Sequence, residues 1–315
     1  MAEARVPLIL DVDTGIDDAV AIALALADPW AEVVAVTTVA GNVGVEQVIV
    51  NTLKVLNFLD AKHVPVHRGA SKPLVRPLRD AQYFHGRDGL GEPDLPAVDR
   101  PLGSDRGPAA IIRLARERPG ELTLVCQGPL TNLAIALNVA PELPGLLKAV
   151  VVMGGAFGVG GNVTPHAEFN IYVDPESAAE VFANRTLDLT VVGLDVSHQV
   201  ALPKAVWDEA ANSPSPYAQL VAKVCDWVWR GHRRTGMFLH DPLAVAVALN
   251  PTLVGTAKRS VTVSCARENR GETRAVRTGT VEVAETVEAA RFLESFSETL
   301  GLVRIPADLS RVHAV

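Results

Sequence analysis

Apolar, β-branched runs alternate with stretches of helical period from residue 6 to residue 194. Residues 6–12, 32–39, 64–67, 122–127, 147–153 and 188–194 read as strands, and 17–27, 45–59, 109–118, 130–138 and 175–183 as helices. The strands are continuously aliphatic rather than alternating, as expected where both faces of a parallel sheet are covered. A βαβα order predicts right-handed crossovers and an α/β fold: an open, mostly parallel central sheet flanked by helices. Two segments interrupt the rhythm. Residues 69–107 form a Pro- and Gly-rich excursion and 154–170 a second loop; loops this long usually carry function. Beyond residue 203 the pattern is mostly helical, clearest at 217–232 and 242–249. Residues 258–265 and 273–281 read as a hairpin and 287–300 as a closing helix. No repeat, low-complexity segment or linker divides the chain, so one domain over 1–315 is expected.

Composition narrows the class of protein. With 48% hydrophobic and 5% aromatic residues among 315, the chain can bury a large aliphatic core without staples. A net charge of −7 argues against a nucleic-acid surface, which is normally basic. The three cysteines, Cys126, Cys225 and Cys265, are widely spaced and contain no CxxC pair. They fit neither a disulfide framework nor a zinc site, and point to a reducing compartment. Residues 1–7 are too short and polar to precede a signal peptide. No apolar stretch approaches the roughly 20 residues of a membrane span. The longest, 19–27, is expected as a buried helix, and the expected location is cytoplasmic.

In open parallel sheets, ligands bind beyond the carboxyl ends of the strands, at a topological switch point. Asp11, Asp13, Asn42, Gln127 and Asn162 all fall at or near such ends. The first end reads Asp11-Val12-Asp13-Thr14-Gly15-Ile16-Asp17-Asp18, four carboxylates in eight residues. Like charges this close raise one another's pKa and destabilise the fold unless something neutralises them. The plainer reading is that Asp17 or Asp18 caps the following helix. A cap accounts for one acid, not four. The helix N-terminus near Asp17 offers free N–H groups and a positive dipole end, and a hard divalent cation such as Ca²⁺, which takes six to eight oxygen ligands, would neutralise more.

DVDTGIDDAVAI at 11–22 resembles the N-terminal signature of the nucleoside hydrolases, DxDPGxDDAxA, with Thr14 where proline is usual. VAGN at 39–42, GPLTNLA at 128–134, MGGAFGVGGNVTPHAEFNIYVDPE at 153–176 and HDPLAVA at 240–246 resemble that family's later motifs, in order. The resemblance implies a Rossmann-like nucleoside hydrolase fold and hydrolysis of the N-glycosidic bond of ribonucleosides. It implies calcium held by Asp13, Asp18, Asp241 and the backbone carbonyl of Gln127, a position where the family often has threonine or an aliphatic residue. Asp13 would also be the general base for the attacking water. Asp17, Asn42, Asn162, Glu168 and Asn170 would hold the ribose hydroxyls, with Met153 against the sugar. The transition state would be oxocarbenium-like, stabilised by nearby carboxylates. His240 and His85 are the candidates to protonate the departing base. Histidine in the HDP motif resembles the inosine–uridine branch, implying both purine and pyrimidine substrates. Family members are usually homodimers or homotetramers.

Other readings compete. Glu168 and Asn170 would be a solvated pair, and His85 a surface histidine, if their loops were ordinary. The glycines from 154 to 161 suggest a dinucleotide loop, but they lead to Asn162-Val163-Thr164-Pro165 rather than directly into a helix. Asp11-Val12-Asp13 superficially matches a haloacid-dehalogenase-like phosphatase, yet Gly15 stands where that family needs Thr or Val. Trp227, Trp229 and Tyr217 fall at helical spacing and read as core or interface. A non-catalytic nucleoside-binding protein, and a ribohydrolase for another ribosyl compound such as nicotinamide riboside, remain open at this point.

Overall fold

The computed structural model describes residues 5–232 and 236–305. Residues 1–4, 233–235 and 306–315 lie outside it, and with them the ends of the domain expected over 1–315 and most of the N-terminal segment read as too short for a leader. The chain runs β1 (Val6–Val12), α1 (Ile16–Ala27), β2 (Ala31–Thr38), α2 (Val45–Phe58), β3 (Val66–His67), α3 (Gln82–His85), α4 (Gly107–Glu117), β4 (Thr123–Cys126) and α5 (Thr131–Val139). It continues through α6 (Leu143–Leu146), β5 (Ala149–Met153), α7 (Phe169–Val173), α8 (Pro175–Ala183), β6 (Leu189–Val192), α9 (Leu194–Ser197), β7 (Ala201–Pro203) and α10 (Lys204–Ala210). The last elements are α11 (Pro216–His232), β8 (Gly236–Phe238), α12 (His240–Leu249), β9 (Val254–Val263), β10 (Thr273–Val287) and α13 (Ala289–Leu300).

Eight strands form one sheet in the order β3-β2-β1-β4-β5-β6-β10-β9. All neighbours are parallel except β9 and β10. The chain winds outward from β1 to β3, then returns to place β4 on the other side of β1. The topological switch point therefore lies between β1 and β4, where Asp13 and Gln127 follow the strand ends. Alternate strand residues feed two cores. Leu8, Leu10, Val12 and Val125 pack with α1, α11, α12 and α13, whereas Ile9, Leu124 and Cys126 pack with α4, α5 and α8. This two-sided burial is why the strands read as unbroken aliphatic runs.

Three local expectations change. The hairpin over 258–265 and 273–281 is longer and is not separate. Its second strand reaches Val287 and pairs in parallel with β6, making the antiparallel edge of the main sheet. Polar residues hid that extension: Glu282 accepts a hydrogen bond from Thr256 Oγ1 at 2.7 Å and Glu285 pairs with Arg259. The loop expected over 154–170 gives way to α7 at Phe169, because the Glu168 carboxylate accepts from the amides of Asn170 and Ile171 and caps a helix. The three-residue β7 and β8, paired antiparallel, are too short to show a period. Within the excursion, Arg76 makes a bidentate pair with Glu176, and the Leu74 amide donates to Asp174, fastening the loop onto α8. Among the described residues no helix is long and apolar enough to cross a membrane.

Candidate active site

The end of β1 is a tight turn held by its own acids. Asp18 accepts from the Asp13 amide at 3.2 Å and from the Gly15 amide at 2.8 Å, closing the entry to α1. A Cβ on Gly15 would lie 2.6 Å from Asn42 Nδ2 and 2.8 Å from His85 Nδ1, so only glycine fits between them. Thr14, the departure from the family's proline, is accommodated. Its hydroxyl meets Thr52 Oγ1 at 2.7 Å, and its carbonyl accepts from Asn51.

The acids converge. One ligand atom each from Asp17, Asp18 and Asp241 lie within 4.8 Å of one another, Asp241 arriving at the start of α12. Asp17, expected on the ribose, thus also stands with two of the expected metal ligands. Asp13 is buried beside them. Its Oδ2 accepts from the Asn42 amide at 2.7 Å, and its Oδ1 has no partner. Burial, then the charge of Asp18, holds Asp13 well above the ordinary carboxylate range. Burial, then Asp17, Asp18 and Asp13, does the same to Asp241. Asp17 is pushed to about 6 by burial, and Asp18 to about 7 by burial and the charge of Asp17. Ligand atoms of Asp17 and Asp241 lie within 4.8 Å of each other, close enough for each charge to raise the cost of the other.

These residues fit a hard cation. The donors are all oxygens, and an unpartnered buried carboxylate oxygen costs on the order of 1–3 kcal/mol or more unless a ligand takes it up. The Gln127 carbonyl accepts from Asn170 Nδ2 at 2.7 Å, and keeps a second lone pair. Asp11, the first acid of the run, belongs elsewhere. It points to the opposite core and accepts from Thr37 and Asn132 at 2.6 and 2.7 Å, while burial raises its pKa to about 6.

Above the acids lies one cavity. Its wall includes Asp17, Asn42, Met153, Asn162, Glu168 and Asn170, the whole set expected around the sugar, together with Gln127 and Asp241. Asp13 and Asp18 are buried and are not part of that wall. Glu168 is a buried cap, not a solvated loop acid; burial lifts its pKa to about 7 against three backbone amides that favour its charge. Asn170 donates to the Gln127 and Met153 carbonyls, tying the ends of β4 and β5 together. Asn162 accepts from the Phe169 amide across its loop.

Both expected histidines face the same cavity. His85 is buried, and its Nδ1 lies 3.1 Å from the Ile16 amide. A backbone N–H can only donate, so Nδ1 accepts and the ring proton sits on Nε2. His240 Nδ1 lies 2.8 Å from Ser197 Oγ. The sequence reading missed the wall around it. His198, just beyond α9, stacks on Phe238 at 4.5 Å between centroids, and both lie 5.6 Å from His240. Burial lowers the pKa of His198. The one available signal was position, since Ser197 and His198 follow the end of β6. Phe84 and Tyr83 also line the cavity, and Trp227 supports them from α11 by donating to the Phe84 carbonyl at 2.8 Å. Trp229 is buried in the core.

Comparison with known proteins decides what this arrangement belongs to. The profile of the inosine-uridine preferring nucleoside hydrolases matches residues 8–294. This chain is a member of that family. The pyrimidine-specific ribonucleoside hydrolase RihA of Salmonella paratyphi C is 40% identical over 262 residues, covering 82% of this chain and 84% of the relative. RihA of Citrobacter koseri is 39% identical over the same length, covering 82% and 83%. Among solved structures, a plant nucleoside hydrolase, the PpNRh1 enzyme, superposes with a TM-score of 0.88 at 34% identity over 95% of this chain and 99% of that one. A purine-preferring ribonucleoside hydrolase from Gardnerella vaginalis gives 0.88 at 32%, over 97% and 99%. As a nucleoside hydrolase, the chain is an N-glycosyl hydrolase built on the open parallel sheet described above, with an acid cluster able to hold a metal ion.

Proposed function

We propose that this nucleoside hydrolase cleaves purine and pyrimidine ribonucleosides, with Asp13 as general base and calcium as the ion of the acid cluster. The observation that carries the reading is Asp13 itself: a buried carboxylate, fixed through Oδ2 by the Asn42 amide, with Oδ1 unpartnered amid three further acids. Calcium bound by Asp13, Asp18, Asp241 and the Gln127 carbonyl would neutralise these charges and polarise the attacking water. Asp13 takes the proton of that water as its oxygen adds to C1′ of the ribose. The bond from C1′ to the base nitrogen breaks, its electron pair leaving with the base. Asp17 and Glu168, on the cavity wall, stabilise the positive charge that grows on the sugar.

His240 delivers the proton that the departing base nitrogen needs. His85 contributes differently. With Nδ1 occupied by the Ile16 amide, it is a neutral Nε2–H donor that orients the base rather than an acid that charges and discharges. The rim formed by His198, Phe238 and Phe84 offers ring faces, and stacking on a ring accepts any base. That rim supports a broad base preference, although the RihA relatives carry a pyrimidine-specific name and the Gardnerella vaginalis relative a purine-preferring one.

The test is hydrolysis of inosine, uridine, cytidine and nicotinamide riboside, with and without chelator. Turnover of inosine and uridine that chelation abolishes and calcium restores is expected. Turnover of nicotinamide riboside alone would sink the ribonucleoside reading, and binding without turnover would make the chain a nucleoside-binding protein.

A further inference from the structure

Gln127 is expected to serve through its backbone carbonyl alone. Its side chain tells more. It is 1% exposed, and neither Oε1 nor Nε2 has a hydrogen-bond partner. A buried primary amide with both ends unmatched is rare, because each end loses its hydration with nothing in return.

The strand geometry fixes where this amide lies. Val125 packs toward the core of α1 and α12, and Cys126 toward the opposite core. The Gln127 amide donates to the Asp11 carbonyl at 2.8 Å, which continues the ladder for one more residue, so its side chain returns to the α1 and α12 face. Those two helices carry Asp17, Asp18 and Asp241 in their first turns. In register, Cys126 lies opposite Val152, which places Gln127 beside Met153, and both belong to the cavity wall.

The neutral polar side chains around the cavity divide into two kinds. Asn42 donates to Asp18, Asn162 accepts from the Phe169 amide, and Asn170 donates to the Gln127 and Met153 carbonyls. Each of these is engaged within the protein. The side-chain amide of Gln127 is not. A cation would satisfy only Oε1 and leave Nε2 stranded. A sugar hydroxyl, which both donates and accepts, matches both ends.

We infer that the Gln127 side-chain amide is a substrate-binding group that reads the 2′- or 3′-hydroxyl of the ribose. Gln127 then serves the site twice, by its carbonyl toward the ion and by its amide toward the sugar. This rests on the ribonucleoside reading above, and it adds to the groups expected on the ribose a residue where the family resemblance put only a backbone atom. A site that matches a hydroxyl rejects substrates lacking it, because its own buried groups are left unpaired.

Gln127→Met keeps the backbone carbonyl and the side-chain length while removing the amide. The expected result is a fall of about tenfold to a hundredfold in kcat/KM for uridine, the loss of one hydrogen-bonded polar contact. Activity on either 2′-deoxyuridine or 3′-deoxyuridine should change much less, so discrimination against that analogue collapses by the same factor. Thermal unfolding of the chelated, substrate-free variant should occur at or above the wild-type temperature, since an unpaired buried amide has been replaced by an apolar group. The calcium concentration giving half-maximal stabilisation should stay within about threefold of wild type.

Equal losses on all three substrates would overturn the assignment. So would a shifted calcium midpoint with unchanged sugar discrimination, which would give the amide to the ion. A variant that fails to fold, or whose chelated form melts several degrees lower, would also overturn it, because the amide would then have partners in the unliganded protein. If the wild-type chain turned over no nucleoside, the proposed function would fall instead. Calorimetry of D-ribose against 2-deoxy-D-ribose and 3-deoxy-D-ribose on both proteins would still read the sugar contact, and equal affinities throughout would sink it.

Discussion

The two ends of the cavity are built differently. At the deep end, Asp13, Asp18, Asn42 and Glu168 are buried, and each carboxylate is held by backbone amides of turns only a few residues long. At the rim, His85, His198 and the Phe238–His240 pair come from three segments and meet through ring faces and single contacts. Amides on rigid strand ends hold a charge in place, as bond-making at C1′, which tolerates about 0.5 Å of misplacement, demands. Ring contacts tolerate partners of different outline, as a variable base demands. The chemistry is therefore anchored in the sheet and the specificity is hung around it.

If that division is right, the largest single effect lies at the deep end. Asp13→Asn preserves the shape of the side chain and removes its basicity. A loss of about 10²–10⁴-fold in kcat is expected, the usual contribution of a general base, with KM little changed. Activity within a few-fold of wild type would remove Asp13 from that role.

Metal removal comes next and bears on stability as well as rate. Asp11, Asp17, Asp18 and Glu168 are raised to between about 6 and about 7 by burial, so the folded chain without its ion binds more protons than the unfolded one across the acidic range. The stability these groups lend is complete below the ordinary carboxylate pKa and is lost as pH rises through their folded values. Chelated protein should therefore melt at progressively lower temperature as pH goes from about 4 to about 7. Calcium at a hundred times its dissociation constant should add about 2.7 kcal/mol, and should flatten or reverse the trend by displacing the protons. A chelated protein that gains stability over that window contradicts the picture of mutually repelling buried acids.

A smaller effect separates the histidines. His240→Ala should lower inosine hydrolysis by about ten- to a hundredfold, and hydrolysis of a nitrophenyl riboside, whose leaving group needs no proton, by much less. His85→Ala should lower both alike, because a neutral donor only orients. The reverse pattern would exchange the two roles.

The same contrast explains what could be read in advance. The parallel sheet and the acid turn at its first strand end follow from local patterns, since Asp13, Gly15 and Asp18 sit within one turn, whereas the other deep-end residues were reached through the family resemblance. The rim was legible only in part, through the resemblance that named His85 and His240. His198 and Phe238 are far apart in sequence, carry no spacing, and are joined by strands of three residues that have no period. The capping role of Glu168 was hidden for another reason: α7 is five residues long and begins inside a glycine-rich run, so the acid read as part of a loop. The pairing of Asp17 with Asp241 spans most of the chain and depends on α1 and α12 starting side by side, which only the fold reveals.

The smallest expected effect tests whether the rim is positioned from outside. Trp227 does not line the cavity, yet its Nε1 donates to the Phe84 carbonyl at 2.8 Å and so holds the residue before His85 from α11. Trp227→Phe keeps most of the ring and deletes that donor, a change worth about 1 kcal/mol. Its influence should appear in KM, by about two- to fivefold, because a loosened α3 weakens the grip on the base while the sheet end keeps the catalytic geometry. The loss should be similar for uridine and inosine, since ring stacking serves both. An effect on kcat of the same size as that on KM would mean that the rim and the deep end move as one body, and the division between them would not stand.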